Sequence, residues 1–172
     1  MAIYALGDLQ PRIDPSAFIH PEAVIIGDVT IGPESSVWPC AVLRGDEGGI
    51  TVGARTSVQD GCVIHTIPES PTTIGNECVI GHAVHLEGCI IEDHALVGSG
   101  AVVLHRAVVR SWGLVGANAV VPGGKEVPGH AMALGVPAKI RENTVNVDEI
   151  TEGVEHYVKR VHQYREELRR LD

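Results

Sequence analysis

An aliphatic residue recurs at every sixth position through the second half of the chain: Val97, Val103, Val109, Val115, Val121 and Val127. The same step joins Val52, Val58 and Ile64, and again Ile74, Ile80 and Leu86. Glycine often follows, as at Gly75, Gly81, Gly98 and Gly116. Four places after the aliphatic residue stands a small or medium one: Thr56, Cys62, Cys78, Val84, Ala101, Ala107, Ala119 and Ala131. A period of six matches neither the alternation of an ordinary strand nor the turn of a helix. It matches a triangular coil in which each unit supplies one short strand and one turn, three units closing a coil. The aliphatic side chain points inward, the small residue packs beside it near the corner, and glycine relieves the turn. The pattern predicts an all-β chain, a parallel β-helix of six-residue repeats over residues 1–140, with the repeat readable from Phe18 to near Val136.

Two interruptions break the period. Residues 46–49 form a Gly-rich bulge, and residues 66–73, with Pro68 and Pro71, delay the next repeat. Insertions in such solenoids gather on one face and often border a site. The step from Leu86 to Ile91 is five rather than six, which tightens that corner. After Asn146 the spacing changes. Ile150, Val154, Tyr157, Val161, Tyr164, Leu168 and Leu171 alternate steps of four and three, which predicts a C-terminal amphipathic helix over 147–172. Asp148 and Glu149 suit its N-terminus, and Arg169 and Arg170 its last turn. The helix is expected to lie along its own β-helix; pinning subunits together is the other reading.

Composition narrows the picture. Aromatic residues make up only 3% of the 172, so the core must be filled by Val, Ile, Leu and Ala, which suits a narrow, regular interior. A formal net charge of −9 argues against a nucleic-acid or anionic-membrane partner. The first ten residues carry no basic n-region or apolar h-region, and no stretch is apolar enough to span a bilayer. The four cysteines, Cys40, Cys62, Cys78 and Cys89, show no CxxC pair or zinc-finger spacing, so reduced thiols in a cytoplasmic protein are expected.

Nine histidines is high for this length. The coil register sorts them. Ile64 and Leu86 occupy the same side of successive coils, so His65 and Glu87, each one place later, should point outward and stack about 4.8 Å apart. His85 points outward on the same strand as Glu87. His82 falls at a corner on another side of the triangle, where it is poorly placed to meet them within one chain but could do so across a threefold interface. Two imidazoles and a carboxylate suit a divalent transition metal, and His₂Glu with an open fourth position is a catalytic zinc set. His94, His105, His130, His156 and His162 are expected to be ordinary surface or interface residues.

Four runs carry a resemblance: Ser36-Val37-Trp38-Pro39, Val42-Leu43-Arg44-Gly45-Asp46, Val58-Gln59-Asp60-Gly61-Cys62-Val63-Ile64-His65 and Ile80-Gly81-His82. Together they resemble the γ-class carbonic anhydrase family, over about residues 10–140, and most of all its short members without a long acidic loop. The resemblance implies a left-handed coil, which the spacing does not, since parallel crossovers elsewhere are overwhelmingly right-handed. It also implies a homotrimer with zinc, iron or cobalt (Zn²⁺, Fe²⁺ or Co²⁺) at each subunit interface. The activity implied is reversible hydration of carbon dioxide by metal-bound hydroxide, with a small-molecule substrate. His65 matches the family's first histidine ligand and His82 the one from across the interface. The third should follow Leu86, where this chain has Glu87, so either Glu87 or His85 completes the set. A carboxylate there should raise the bound-water pKa relative to three imidazoles. Gln59 resembles the residue that hydrogen-bonds metal-bound solvent or substrate. Arg44, Asp46 and Asp60 resemble the charged network near the interface, where they could equally hold the trimer together. Glu69 is a candidate proton shuttle in place of the missing acidic loop.

Two other classes compete. Hexapeptide β-helices also host acyltransferases and CoA-thioester-linked enzymes, and Gly135-Val136-Pro137-Ala138-Lys139-Ile140 resembles the segment that ends many of them. A non-catalytic trimeric binding protein is the third reading.

Overall fold

A computed structural model describes residues 2–172. The chain winds as a left-handed parallel β-helix, followed by one C-terminal helix. On one face Val37, Val58, Ile80, Val97, Val115 and Ala133 are successive parallel partners in a single sheet. All six are fully buried, and so are the small residues beside them, among them Cys62, Cys78, Ala101 and Ala119. The other two faces join in one sheet because two long strands, Val24–Ile31 and Val42–Val52, each run on from one face to the next. The coil begins earlier than the repeat shows. Ala2–Tyr4 and Arg12–Ile13 both pair with Val24–Ile31, and the reversal at the Leu6–Leu9 bridge between them hides the six-residue step.

Corners force unusual backbone. Glu34, Arg55, Glu77, His94, Trp112 and His130 form one column of corner residues, with φ between 53° and 61°. Each such conformation costs a non-Gly residue roughly 1–2 kcal/mol. The side chains pair up the column and offset part of that cost. Arg55 lies 3.8 Å from Glu34 and 3.0 Å from Glu77, and Glu77 lies 3.0 Å from His94. His94 in turn stacks on Trp112 with ring centroids 4.3 Å apart.

A second corner gathers both interruptions. Thr66 Oγ1 donates to the Gly48 carbonyl at 3.3 Å, which ties the second insertion to the first. Ser70 Oγ donates to the Gly88 carbonyl at 2.7 Å, and the Gly88 N–H donates to Thr72 Oγ1 at 2.8 Å. Gly88 is the tightened corner after Leu86. Its φ is +51°, and a Cβ there would come within 3.0 Å of Ser70, so glycine is required twice over.

The helix spans Val147–Glu167, capped by Asn146, whose side chain accepts from the Asp148 N–H. It lies on the face that carries Phe18, Trp38 and Val79. Ile150, Val154, Val158 and Val161 are buried. Tyr157 and Tyr164 pack edge-on to Trp38, whose indole N–H reaches the Ser36 and Ser57 hydroxyls. Four of the six aromatics, Phe18, Trp38, Tyr157 and Tyr164, thus cluster outside the coil, between it and the helix. The helix stops short of the expected 172. Phe18–Ile19 is the last strand of the face it covers, so Leu168 and Leu171 have no sheet to bury against and stay exposed.

All four cysteines are free thiols, three of them inside the coil. Burial pushes the Cys62 thiol up to about 11 and those of Cys78 and Cys89 to about 12. At pH 8 a soluble disulfide reagent is expected to titrate Cys40 alone, the other three reacting only after denaturant is added. Because the folded thiols ionise later than unfolded ones, stability should hold below pH 9 and fall as pH rises toward 11–12, measured by denaturant midpoints across that range. Trp38→Ala should cost about 3–5 kcal/mol and loosen the helix first, which tyrosine fluorescence would follow.

Candidate metal centre

The site is a ladder across three coils. Arg44 on Val42–Val52, His65 on Val63–His65 and Glu87 on His85–Glu87 are Cα partners in parallel register. Their side chains all leave the outer surface of one face. His85 stands two places before Glu87, so strand alternation sends it out on the same side. Its ring lies 5.2 Å from that of His65, centroid to centroid. Glu87 Oε2 lies 3.5 Å from His65 Nε2 and 3.7 Å from His85 Nε2. Among the described residues, His65, His85 and Glu87 form the one group whose donor atoms all lie within 4.8 Å of one another.

These residues fit a divalent cation. An ion with bonds of about 2.1 Å in tetrahedral geometry spaces its ligand atoms about 3.4 Å apart, close to both separations. The donor types also suit it, two imidazole nitrogens and a carboxylate being a set for zinc or iron. The tautomer of His65 is fixed as well. Its Nδ1 lies 3.0 Å from the Thr66 carbonyl, which can only accept, so the proton sits on Nδ1 and Nε2 is free to ligate. The structure thus brings His85 and Glu87 together with His65, rather than one in place of the other.

His82 stands apart from the cluster at the preceding corner. Its Nδ1 donates to Asp60 Oδ2 at 2.9 Å. This carboxylate orients the ring and leaves Nε2 facing outward on a half-exposed side chain. Asp60 therefore acts on His82 within the chain. Gln59 is buried beside it at the same corner. Arg44 pairs with Asp46 in the first interruption, and the second oxygen of Asp46 is buried without a hydrogen-bond partner among the described residues. Glu69 stands exposed at the tip of the turn closed by Ile67 and Ser70, and makes no ion pair among the described residues.

One site residue escaped the sequence reading. His105, set aside there as an ordinary surface histidine, places Nδ1 2.9 Å from Glu87 Oε1. That hydrogen bond, with the nearby His65 and His85, holds the Glu87 carboxyl below the usual carboxylate range. The available signal was the coil step. Glu87 and His105 are 18 residues apart, one full coil. Strict pairing sets Leu86 against Val103, however, and so points to Leu104 rather than His105 as the neighbour of Glu87.

Comparison with known proteins agrees with this architecture. A family model described as bacterial transferase hexapeptide (six repeats) matches residues 11–45. The carnitine operon protein CaiE of Escherichia coli is 39% identical over 150 residues, 87% of this chain and 76% of that protein. The mitochondrial gamma carbonic anhydrase 1 of Arabidopsis thaliana is 39% identical over 138 residues, 77% of this chain and 50% of that protein. Among solved structures, a proposed acetyltransferase of Bacillus cereus is 34% identical with a TM-score of 0.93, covering 95% of this chain and 96% of that one. A hexapeptide transferase family protein from Anaplasma phagocytophilum is 34% identical with a TM-score of 0.91, covering 95% and 98%. The chain belongs to the γ-class carbonic anhydrase-like family of hexapeptide-repeat proteins.

Proposed function

We propose that the chain is a metal-dependent hydratase that interconverts carbon dioxide and bicarbonate, assembled as a homotrimer. The carrying observation is the cluster of His65, His85 and Glu87 on one outward ladder, with donor atoms within 4.8 Å. A divalent cation held there would lower the pKa of a water into the neutral range and supply the nucleophile for carbon dioxide. The chain's own residues do the rest. His65 and His85 present Nε2, and the Thr66 carbonyl keeps the His65 proton on the far nitrogen. Glu87 offers one oxygen and brings a negative charge that offsets part of the dication's. His82, oriented by Asp60, offers Nε2 to a neighbouring copy. Gln59, at that corner, is a hydrogen-bond partner for solvent or substrate, and Glu69, on the exposed turn beside the site, is the carboxylate available to carry the proton away. Four free thiols suit a reducing compartment such as the cytoplasm. No helix is long and apolar enough to cross a membrane among the described residues.

Acyl transfer is the second reading, favoured by the likeness to the Bacillus cereus structure. The two separate on metal. Purified under reducing, anaerobic conditions, the protein is expected to carry about one zinc, iron or cobalt ion per chain by elemental analysis and to hydrate carbon dioxide in stopped-flow assays. His65→Ala should lower both metal content and hydration, the latter by at least the roughly 100-fold that loss of an outer-shell partner can cost. A trimer that is metal-replete but inert toward carbon dioxide would overturn the hydratase reading. So would wild-type protein that takes up no metal on reconstitution.

A further inference from the structure

We propose that His105 is a positioning residue that divides the two oxygens of Glu87, keeping Oε1 for itself and leaving Oε2 alone to face the cation. The inference rests on the metal site proposed above. Glu87 is placed between three imidazoles, and they do not share it evenly. Oε1 accepts from His105 Nδ1 at 2.9 Å, a hydrogen-bond distance. Oε2 faces His65 Nε2 at 3.5 Å and His85 Nε2 at 3.7 Å, too far for a hydrogen bond but suited to ligands of a common ion. A free carboxylate can chelate a cation through both oxygens. One that already receives an N–H on Oε1 must give up that charge-assisted bond to do so.

His105 is itself held in place. Its carbonyl accepts the Gly124 N–H at 2.9 Å, which stacks the next coil's corner on it. Gly123 leaves room for the ring, since a Cβ there would lie 3.0 Å from His105 Nε2. The imidazole is therefore wedged between Glu87 and the coil above, while its side chain keeps about a third of its surface in solvent. It approaches Glu87 from the coil above, whereas His65 lies on the coil below and His85 on the same strand. The geometry makes His105 an outer partner that fixes how the carboxylate ligates, and therefore how many positions around the cation remain for solvent and substrate.

The test uses Co²⁺ alone as the probe, with full-length wild type, His105→Ala and His105→Gln. Cobalt reports ligand number through its visible bands, which weaken stepwise as coordination rises from four to five to six. Affinity is read by competition with a chelator, and circular dichroism and sedimentation check fold and assembly. Wild type, with a single Glu87 oxygen on the ion, is expected to bind with more intense bands than His105→Ala. His105→Ala should bind about 10–100-fold more weakly, with the bands weakened as Glu87 turns to two-oxygen ligation, and with melting and assembly unchanged. His105→Gln, which retains an N–H donor, should restore much of both. Identical affinity and spectrum in wild type and His105→Ala would overturn this inference and leave the metal site standing. Weaker binding in His105→Ala that merely tracks loss of fold or assembly would also overturn it. Wild type that binds no cobalt would overturn both the inference and the site on which it rests.

Discussion

Parallel pairing at about 4.8 Å per coil is the constraint that builds the site. His65 and Glu87 are far apart in sequence, yet they are held side by side because Ile64 and Leu86 are packed in the same inward column. Side chains alternate across a strand, so a slip of one residue would turn His65 and Glu87 into the core and Ile64 and Leu86 out to solvent. Burying a carboxylate and an imidazole in an aliphatic coil is costly enough to forbid that register. The hydrophobic column thus specifies the polar cluster, although it touches none of the cluster's functional atoms.

The same constraint explains where the irregularities sit. The segment after His65 loops out at a corner and returns in step, with Ile74 paired to Val52. The bulge before Ile50 likewise leaves the two long strands in register on either side of it. Both excursions, together with the Gly88 corner, are stacked on one edge and hydrogen-bonded to one another. They lie at the end of the strands that carry His65 and Glu87. Extra chain length is accommodated beside the site without disturbing the ladder that forms it.

How much was legible in the sequence follows from the same physics. The six-residue period identifies inward positions directly, so the β-helix and the outward placement of His65, His85 and Glu87 could all be read. The Asp60–His82 pair was equally accessible, because each residue follows a paired core residue, Val58 or Ile80, by two places. His105 was not. A corner residue with no strand pairing of its own can splay toward a neighbour, and period alone does not give its direction. The end of the helix was hidden for another reason. Its apolar spacing continues to Leu171, but a helix face is buried only where there is a sheet beneath it, and the sheet ends at Phe18–Ile19. The earliest coil was masked by the chain reversal at Leu6 and Leu9.

A carboxylate within a cluster of histidines changes what the cluster can hold. Three neutral imidazoles leave a dication's full charge in place, whereas Glu87 brings compensating charge and a harder oxygen donor. All three donors come from one chain here, and a neighbouring copy's His82 would add a fourth. The most direct measurement is anomalous diffraction from crystals of zinc-loaded protein. The expected result is a peak about 2.0–2.2 Å from His65 Nε2, His85 Nε2 and Glu87 Oε2 of the same chain. A peak held by His65 and a neighbouring copy's His82, with His85 and Glu87 both turned away, would contradict it.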